Sequence, residues 1–186
     1  HNEALIILET LDNSDEVARQ KIENLRKTGD YEKALEIFSD IRDNNSMTGK
    51  ILISGIRLAW DIGDMNSVGA LSNEILQQDP DSDLAIRFNL QSLVKLGSLE
   101  ELRKYLKSVL KSNPNNIYAC NVAINLALEE DEDYEEVITL CDKILEFEPR
   151  NRQALTKKVL ALGKLELYDE MIEASDFARS ILSRND

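Results

Sequence analysis

The feature that most constrains this chain is a recurrence of glycine at a fixed interval. Gly29, Gly63 and Gly97 follow one another at intervals of 34 residues, and each separates two stretches with helical spacing of apolar residues. The prolines recur at intervals of 34 and 35 residues, at Pro80, Pro114 and Pro149. A period of this length predicts a stack of helix pairs, because one helix pair cannot bury its own apolar face and needs neighbours to cover it.

The stretch 83–116 illustrates how each unit is built. Its first helix carries apolar residues at near-helical spacing, namely Leu84, Ile86, Leu90, Leu93 and Leu96. Gly97 is expected to end that helix, because glycine adopts the left-handed conformation at little cost. Ser98 and Glu101 form a capping-box pattern at the start of the second helix. Asn113 and Pro114 then end the unit.

Two further turns continue the period, and the first of them has no glycine. The fourth turn lies in 129–140 and the fifth in 161–172. The fourth interval is one residue longer than the others, and we expect the additional residue to lie in the acidic segment 129–136.

These units resemble the tetratricopeptide repeat (TPR) family. The period fits, the second helix of the first unit has the Ala-x-x-x-Phe pattern as Ala34 and Phe38, and prolines precede the third, fourth and fifth units. The resemblance implies an all-α, right-handed superhelix (solenoid) of stacked antiparallel helix pairs with about 11 helices. The predicted repeats are 15–48, 49–82, 83–116, 117–151 and 152–186, and residues 1–13 are expected to be the second helix of a preceding partial repeat.

The chain departs from the family at the tightest helix crossings. Where the family has small residues, this sequence has Ile22, Ile56, Leu90, Ile124 and Val159 on first helices, and Val68, Leu102, Val137 and Met171 on second helices. We therefore expect slightly wider helix spacing. Both ends are expected to continue into a longer protein, the alternative being a natural chain with a single N-terminal helix.

Composition and motifs argue against several classes of function. The formal net charge of −13 disfavours binding to nucleic acid or anionic membranes, and the only histidine is His1, so a histidine-based catalytic or zinc site is not expected. We predict no cofactor and no enzymatic activity.

Cys120 and Cys141 form no CxxC motif, which favours a reduced, cytoplasmic protein. They are interpreted as buried small residues, with a redox pair as the alternative.

Two further motifs are interpreted as ordinary surface structure. Residues 44–46 form an Asn-x-Ser sequon, which we expect to be a simple turn. The acidic run 129–136 lacks the spacing and the glycine of a calcium loop and is expected to be a solvated helix junction.

The TPR resemblance implies that the first helix of each repeat lines a concave groove. Carried over position by position, it predicts a peptide-binding groove that includes Arg19, Arg57, Trp60, Arg87, Phe88, Lys95, Tyr118, Asn121, Asn125 and Lys157. The predicted face has more basic than acidic residues. The basic residues are Arg19, Arg26, Lys27, Lys50, Arg57, Arg87, Lys95, Lys157 and Lys164, and the acidic residues are Glu16, Glu23, Asp61 and Glu129. This basic excess within an acidic chain predicts an acidic ligand.

Aromatic side chains beside arginines are typical of binding hot spots. Asn121 and Asn125 resemble part of the set with which some family members grip a C-terminal carboxylate, but the flanking lysines of that set are not at the required places. We therefore do not extend that specificity to this chain. The alternative is that the basic residues are merely solvated and that Trp60 belongs to the core.

Two classes of function remain. The first is a non-catalytic scaffold or adaptor that binds a peptide or protein segment in its concave groove. The second is an accessory repeat array of a larger enzyme or signalling protein, which positions a substrate or mediates self-association, for example as a homodimer through an uncapped end.

Overall fold

The computed structural model describes residues 16–43 and 47–182, and the regular structure in these ranges is helical. The helices are α1 (16–28), α2 (Tyr31–Asp43), α3 (Gly49–Ile62), α4 (Met65–Gln78), α5 (Asp83–Leu96), α6 (Leu99–Ser112), α7 (Ile117–Leu126), α8 (Tyr134–Phe147), α9 (Arg152–Lys164) and α10 (Tyr168–Leu182). A π-helical turn, Ala127–Asp131, extends α7. The all-α class and the helical-repeat architecture predicted from the sequence are confirmed. The predicted partial repeat 1–13 and the sequon 44–46 lie outside the described residues.

The chain divides into two compact units, His1–Leu102 (unit 1) and Arg103–Asp186 (unit 2). In unit 1, α3 packs against α2 and α4, and α4 packs against α5. In unit 2, α8 packs against α7 and α9, and α9 packs against α10. Connections of two to four residues join most of these helices, as expected for stacked hairpins. The division into five repeats and the right-handed superhelix stay predictions.

A residue in the left-handed conformation recurs at five turns, two of which have no glycine at that position. Gly29, Gly63 and Gly97 adopt left-handed φ angles of 80°, 81° and 67°. At the two later turns Glu132 and Glu166 adopt the same region, with φ of 51° and 59°. The left-handed conformation therefore recurs even where glutamate stands in place of glycine, because the stacking of helix pairs requires the chain to reverse there.

The additional residue of the fourth interval is accommodated in the π turn. At four of the turns the residue after the left-handed position donates its N–H to the carbonyl five residues earlier, for example Asp64 to Ala59 at 2.9 Å. At the fourth turn Asp133 donates to Ala127, six residues earlier, at 3.0 Å. The longer span places the additional residue at the start of the acidic segment, where α7 passes into the π helix.

Asparagine and aspartate side chains begin several helices. Asp64, Asn116, Asp133 and Asn151 each accept a hydrogen bond from the backbone N–H three residues later, at 2.9 to 3.0 Å. Each bond satisfies a helix N–H group that has no partner within the helix.

The cores contain part of the predicted stripes: Ile86 and Leu90 are buried, whereas Leu96 is 44% exposed. In unit 1 the buried cluster joins Ile22 of α1, Phe38 of α2, Ile56 of α3 and Val68 of α4. In unit 2 the buried side chains include Ile124, Val137, Cys141 and Leu162. Seven of the nine large residues at the predicted helix crossings are buried, whereas Val159 and Met171 are half-buried.

One tight approach was not anticipated. Gly55 of α3 lies against the ring of Phe38 so closely that a Cβ on Gly55 would stand 2.3 Å from Phe38 Cε2. The space for this aromatic ring therefore comes from a glycine one residue before the large Ile56 on which the sequence argument concentrated.

We predict that one chemical change, glycine to alanine, has opposite effects at two glycines. Gly63→Ala should destabilise the chain by about 1 kcal/mol, because alanine is strained at a φ of 81°. Gly49→Ala should stabilise it by up to about 0.5 kcal/mol, because Gly49 lies in a helix with no atom within 4 Å of an added Cβ. Urea unfolding followed by circular dichroism measures both changes.

The reverse substitution provides the complement to this experiment. Glu166→Gly should raise the free energy of unfolding by about 1 kcal/mol, since it relieves the left-handed strain of a non-glycine residue. A loss of stability in Glu166→Gly would show that the periodic conformation carries no strain.

Candidate functional site

A cleft in unit 1 lies where α3 and α5 are adjacent. Its volume is about 620 Å³, and it is lined by the apolar side chains of Trp60, Leu84 and Phe88 and by Gln91. Its charged lining consists of Arg26, Arg57, Asp61, Asp83 and Arg87. A cleft of this size with an apolar wall and a few charged groups suits a side chain or a short segment of a ligand.

Trp60 and Phe88 form the apolar wall of this cleft. Their ring centroids lie 6.0 Å apart with an interplanar angle of 64°, an edge-to-face arrangement that is favourable between aromatic rings. Both side chains are half-buried and pack against the unit 1 core. The two alternatives for Trp60, groove or core, therefore both hold in part: one part of its side chain packs with the core, and another part lines the cleft.

The Glu23 carboxylate of α1 organises the charged side of the cleft. Its Oε2 accepts hydrogen bonds from Nε and Nη2 of Arg26, at 3.2 and 3.0 Å. Its Oε1 accepts hydrogen bonds from Ser54 Oγ at 3.1 Å and, at a longer 3.4 Å, from Arg57 Nη1. Arg26 also donates from Nη1 to Asp61 Oδ2 at 2.5 Å. One half-buried carboxylate thus links α1 to α3.

These contacts change the pKa values of the network. Burial alone would raise the pKa of Glu23, but hydrogen bonds from Arg26 and Ser54 outweigh it, so this pKa lies below its usual value. Burial would likewise lower the pKa of Arg26, but its bonds to Asp61 and Glu23 prevail and raise it. Both shifts favour the charged forms of Glu23 and Arg26.

Arg57 is the most accessible arginine of the Glu23 network. Its side chain is 44% exposed, whereas that of Arg26 is 20% exposed and bonded to two carboxylates. Arg57 also borders a neighbouring depression of about 310 Å³ that contains Glu16, Arg19 and Lys50. Its guanidinium is thus positioned between two openings in unit 1.

The remaining predicted residues of unit 1 lie apart from the cleft. Arg19 donates from Nε and Nη2 to its own helix neighbour Glu16, at 2.9 and 2.5 Å. Hydrogen bonding from Arg19 and from Gln20 lowers the pKa of Glu16 to about 2. Lys95 is exposed in the last turn of α5 and does not line the cleft.

In unit 2 the four predicted residues lie on α7 and α9. Tyr118 and Asn121 are half-buried on α7, and Asn121 Nδ2 donates to the Ile117 carbonyl at 2.9 Å. Lys157 Nζ donates to Asn125 Oδ1 at 2.6 Å, which joins α9 to α7. Burial lowers the pKa of Lys157. These polar groups therefore satisfy one another in part within the protein.

The structure modifies the picture of a basic groove. Each acidic side chain predicted on this face of unit 1, namely Glu16, Glu23 and Asp61, is bonded to an arginine of the same face. Much of the basic charge is thus matched internally, and the cleft holds three arginines and two aspartates.

The sequence contained a signal for the internal pairing of Glu23 with Arg57. Glu23 and Arg57 are 34 residues apart, so they occupy the same position in consecutive repeats and must lie on adjacent first helices. Asp83, which also lines the cleft, was not predicted. It precedes Arg87 by one helical turn.

The two cysteines are free and buried. Burial raises the pKa of both thiols, that of Cys141 to about 11, which disfavours the reactive thiolate. Among the residues that the structure describes, no group of three or more His, Cys, Asp or Glu side chains is arranged to hold a metal ion.

We predict that Glu23→Gln destabilises the chain by about 1–2 kcal/mol at neutral pH, because it removes a charged acceptor that bonds Arg26, Ser54 and Arg57. The folded-state pKa of Glu23 is depressed, so its contribution is present above the unfolded value of 4.5 and is lost as the pH falls through the folded value. Urea unfolding at about pH 7 and about pH 3 should therefore show a smaller difference between the two proteins in acid.

The control for this experiment is Glu36→Gln, a change of the same type at an exposed residue of α2. A loss of stability as large in Glu36→Gln as in Glu23→Gln would contradict a special role for the Glu23 network.

Comparisons with known proteins complete the description of the fold. Neither a protein-family model nor the sequence of a curated protein matches the chain. Among solved structures, the chain is similar to MamA 41-end from Desulfovibrio magneticus RS-1, with a TM-score of 0.67, 18% identity and coverage of 92% of this chain and 96% of that one.

Two further structures show the same similarity. A crystal structure of MamA protein aligns with a TM-score of 0.70, 16% identity and coverage of 91% and 92%. YrrB, described as a TPR protein with an unusual peptide-binding site, aligns with a TM-score of 0.64, 16% identity and coverage of 90% and 86%. The predicted resemblance is confirmed at the level of structure: this chain has the fold of tetratricopeptide repeat proteins.

Proposed function

We propose that this chain is a non-catalytic protein–protein interaction scaffold that holds a segment of a partner protein in the unit 1 cleft. The observation that carries the proposal is the Trp60–Phe88 wall beside the accessible guanidinium of Arg57 in one cleft of about 620 Å³. The similarity to YrrB, whose description includes a peptide-binding site, supports the same class of function.

The lining of the cleft suggests the chemistry of the ligand. An apolar or aromatic side chain would pack on Trp60 and Phe88, and a carboxylate would form charge-assisted hydrogen bonds with Arg57. Because Asp61 and Asp83 also line the cleft, a segment with one or two carboxylates fits better than a long acidic run. The acidic ligand predicted from the sequence is thus retained in a restricted form.

Other parts of the sequence-based hypothesis belong to this proposal as well. Arg19, Arg87 and Lys95 in unit 1, and Tyr118, Asn121, Asn125 and Lys157 in unit 2, are retained as further candidate contacts. Two buried free thiols are compatible with the predicted cytoplasmic location. In the described part of the chain, no helix has the length and hydropathy needed to cross a membrane.

The second candidate function, an accessory array that mediates self-association, is favoured by one observation on α10. Tyr168 and Ile172 stand one helical turn apart, and their exposed fractions are 56% and 55%. Adjacent exposed apolar side chains are typical of contact surfaces. Association of two copies through this face would suit a role in a larger enzyme or signalling protein.

We predict that substitutions in the unit 1 cleft weaken peptide binding. Peptides selected from a random display library against the intact chain should be enriched in an aromatic or large apolar residue near an acidic residue. Their affinity, measured by fluorescence anisotropy, should fall about tenfold in Arg57→Ala and in Trp60→Leu, since a charged or an aromatic hot-spot contact is lost.

Arg42→Ala is the matched control for this binding experiment. Arg42 is an exposed arginine of α2 with an inter-helix ion pair to Glu74, and it lies outside the cleft. Selected peptides that bind Arg57→Ala and the unchanged protein with equal affinity would contradict the proposed site.

Light scattering distinguishes the self-association hypothesis. If the α10 face joins two copies, the chain should be a dimer at micromolar concentration, and Ile172→Glu should convert it to a monomer by placing a charge in an apolar contact. Ile62→Glu, on an apolar residue of α3 that is 38% exposed, should leave the mass unchanged. A monomeric unchanged protein would reject this candidate function.

A further inference from the structure

Unit 2 contains a second depression that the proposed peptide cleft does not use. It lies between α7, α8 and the part of α6 that belongs to unit 2, and its volume is about 530 Å³. We call it the unit 2 groove. Its lining combines an apolar floor with a rim of charged side chains, the composition expected where an amphipathic ligand binds.

The floor of the groove is built by five apolar side chains from three helices. Leu106 and Leu110 come from α6, Ala123 and Leu126 from α7, and Leu140 from α8. Leu106 and Leu140 are each only 4% exposed and form the base, whereas Leu110 and Leu126 are partly exposed and offer apolar surface to a ligand.

One end of the groove is closed by an ion pair. Arg103 donates from Nη1 and Nη2 to the two carboxylate oxygens of Asp131, at 2.5 and 2.7 Å. Asp131 is the last residue of the π-helical turn, so the turn that absorbs the additional residue of this repeat also presents the partner of Arg103. Glu136 lies close enough to Arg103 to act on it electrostatically. Arg103, Asp131 and Glu136 together carry one positive and two negative charges, so Arg103 is matched within the protein.

The rest of the rim is basic. Lys107 and Lys111 lie one turn apart on α6, and Lys143 lies on α8. All three are exposed, and none forms an ion pair with a carboxylate within residues 16–43 and 47–182. With Arg103 included, the lining of the groove has four cationic and two anionic side chains, a net charge of +2 in a chain with a net charge of −13. This positive charge makes the groove complementary to an acidic partner.

We propose that the unit 2 groove binds an acidic amphipathic α-helix of a partner protein. The apolar face of that helix would pack on Leu110 and Leu126, and its carboxylates would meet Lys107, Lys111 and Lys143. Residues four apart on a helix are separated by about 6 Å along its axis, so carboxylates at positions i and i+4 of the partner match the spacing of Lys107 and Lys111.

This surface is distinct from the unit 1 cleft in its residues and in its ligand. The cleft offers an aromatic pair and arginines, which suit single anchoring side chains, whereas the groove offers aliphatic side chains and a row of lysines. A chain with both surfaces would hold two partner segments at once, which is what a scaffold requires.

A designed peptide tests the proposal. The probe is a fluorescein-labelled helical peptide of about 16 residues, or about 24 Å, with leucines along one face and glutamates at flanking i and i+4 positions. Anisotropy titrations use the whole 186-residue chain. We expect saturable binding that weakens about tenfold in the double variant Lys107→Glu, Lys111→Glu and weakens further as salt is raised.

Three controls make the result specific. Lys104→Glu changes the same charge on the exposed surface of α6 outside the groove and should leave the affinity unchanged. Arg57→Ala, in the unit 1 cleft, should also leave it unchanged. A peptide with glutamine in place of glutamate, and a scrambled peptide of the same composition, should each bind at least about tenfold more weakly.

Several outcomes would overturn the proposal. These are no saturable binding of the designed peptide, an equal loss in Lys104→Glu, binding of the glutamine peptide with unchanged affinity, or a loss in Arg57→Ala instead of the lysine variants. Displacement of the peptide by a second copy of the chain, seen as dimerisation that the double variant abolishes, would assign the groove to self-association. Stoichiometric displacement by dodecanoate would assign it to a lipid carboxylate.

Discussion

The structure depends on the coverage of apolar helix faces by neighbouring hairpins. A single pair of helices with stripes such as Ile56 and Val68 leaves one side exposed, and the next pair covers it. For this coverage the chain must reverse direction at the same position of each helix pair. This requirement explains the left-handed residue at the end of each first helix. The requirement is strong enough that Glu132 and Glu166 adopt a conformation that glycine adopts more easily.

This constraint also explains the position of the unit 1 cleft. Equivalent positions of consecutive repeats fall side by side, so a single residue type at one position generates a row of contacts across helices. Glu23, Arg57 and Gln91 follow one another at intervals of 34 residues; Arg57 and Gln91 line the unit 1 cleft, and Glu23 bonds to Arg57. Within residues 16–43 and 47–182, Glu23 is the one carboxylate that pairs with Arg57, whose side chain stays 44% exposed.

The sequence predicted the helix pairs, their turns and their cores because those depend on periodic patterns of apolar residues and on the glycines. It predicted Trp60 and Phe88 on one face of successive repeats, but their edge-to-face contact required coordinates. It did not predict that Glu23 would engage Arg26, Ser54 and Arg57, since the direction of a long side chain depends on its packing. From the sequence the charged residues of the predicted face can be counted, but the ion pairs between them cannot be assigned. The proximity of Phe38 to Gly55 required coordinates, because the glycine lies one position from the crossing that the family pattern emphasises.

The π-helical turn Ala127–Asp131 has a consequence for how such arrays tolerate changes in length. An inserted residue rotates everything beyond it in a regular helix by about 100° and would point the next apolar stripe away from its neighbour. Here the wider turn confines that rotation to a few residues, and the following reversal at Glu166 returns after 34 residues. Insertions and deletions are thus survivable at helix ends, where a chain of this architecture gains new surface without losing its packing phase.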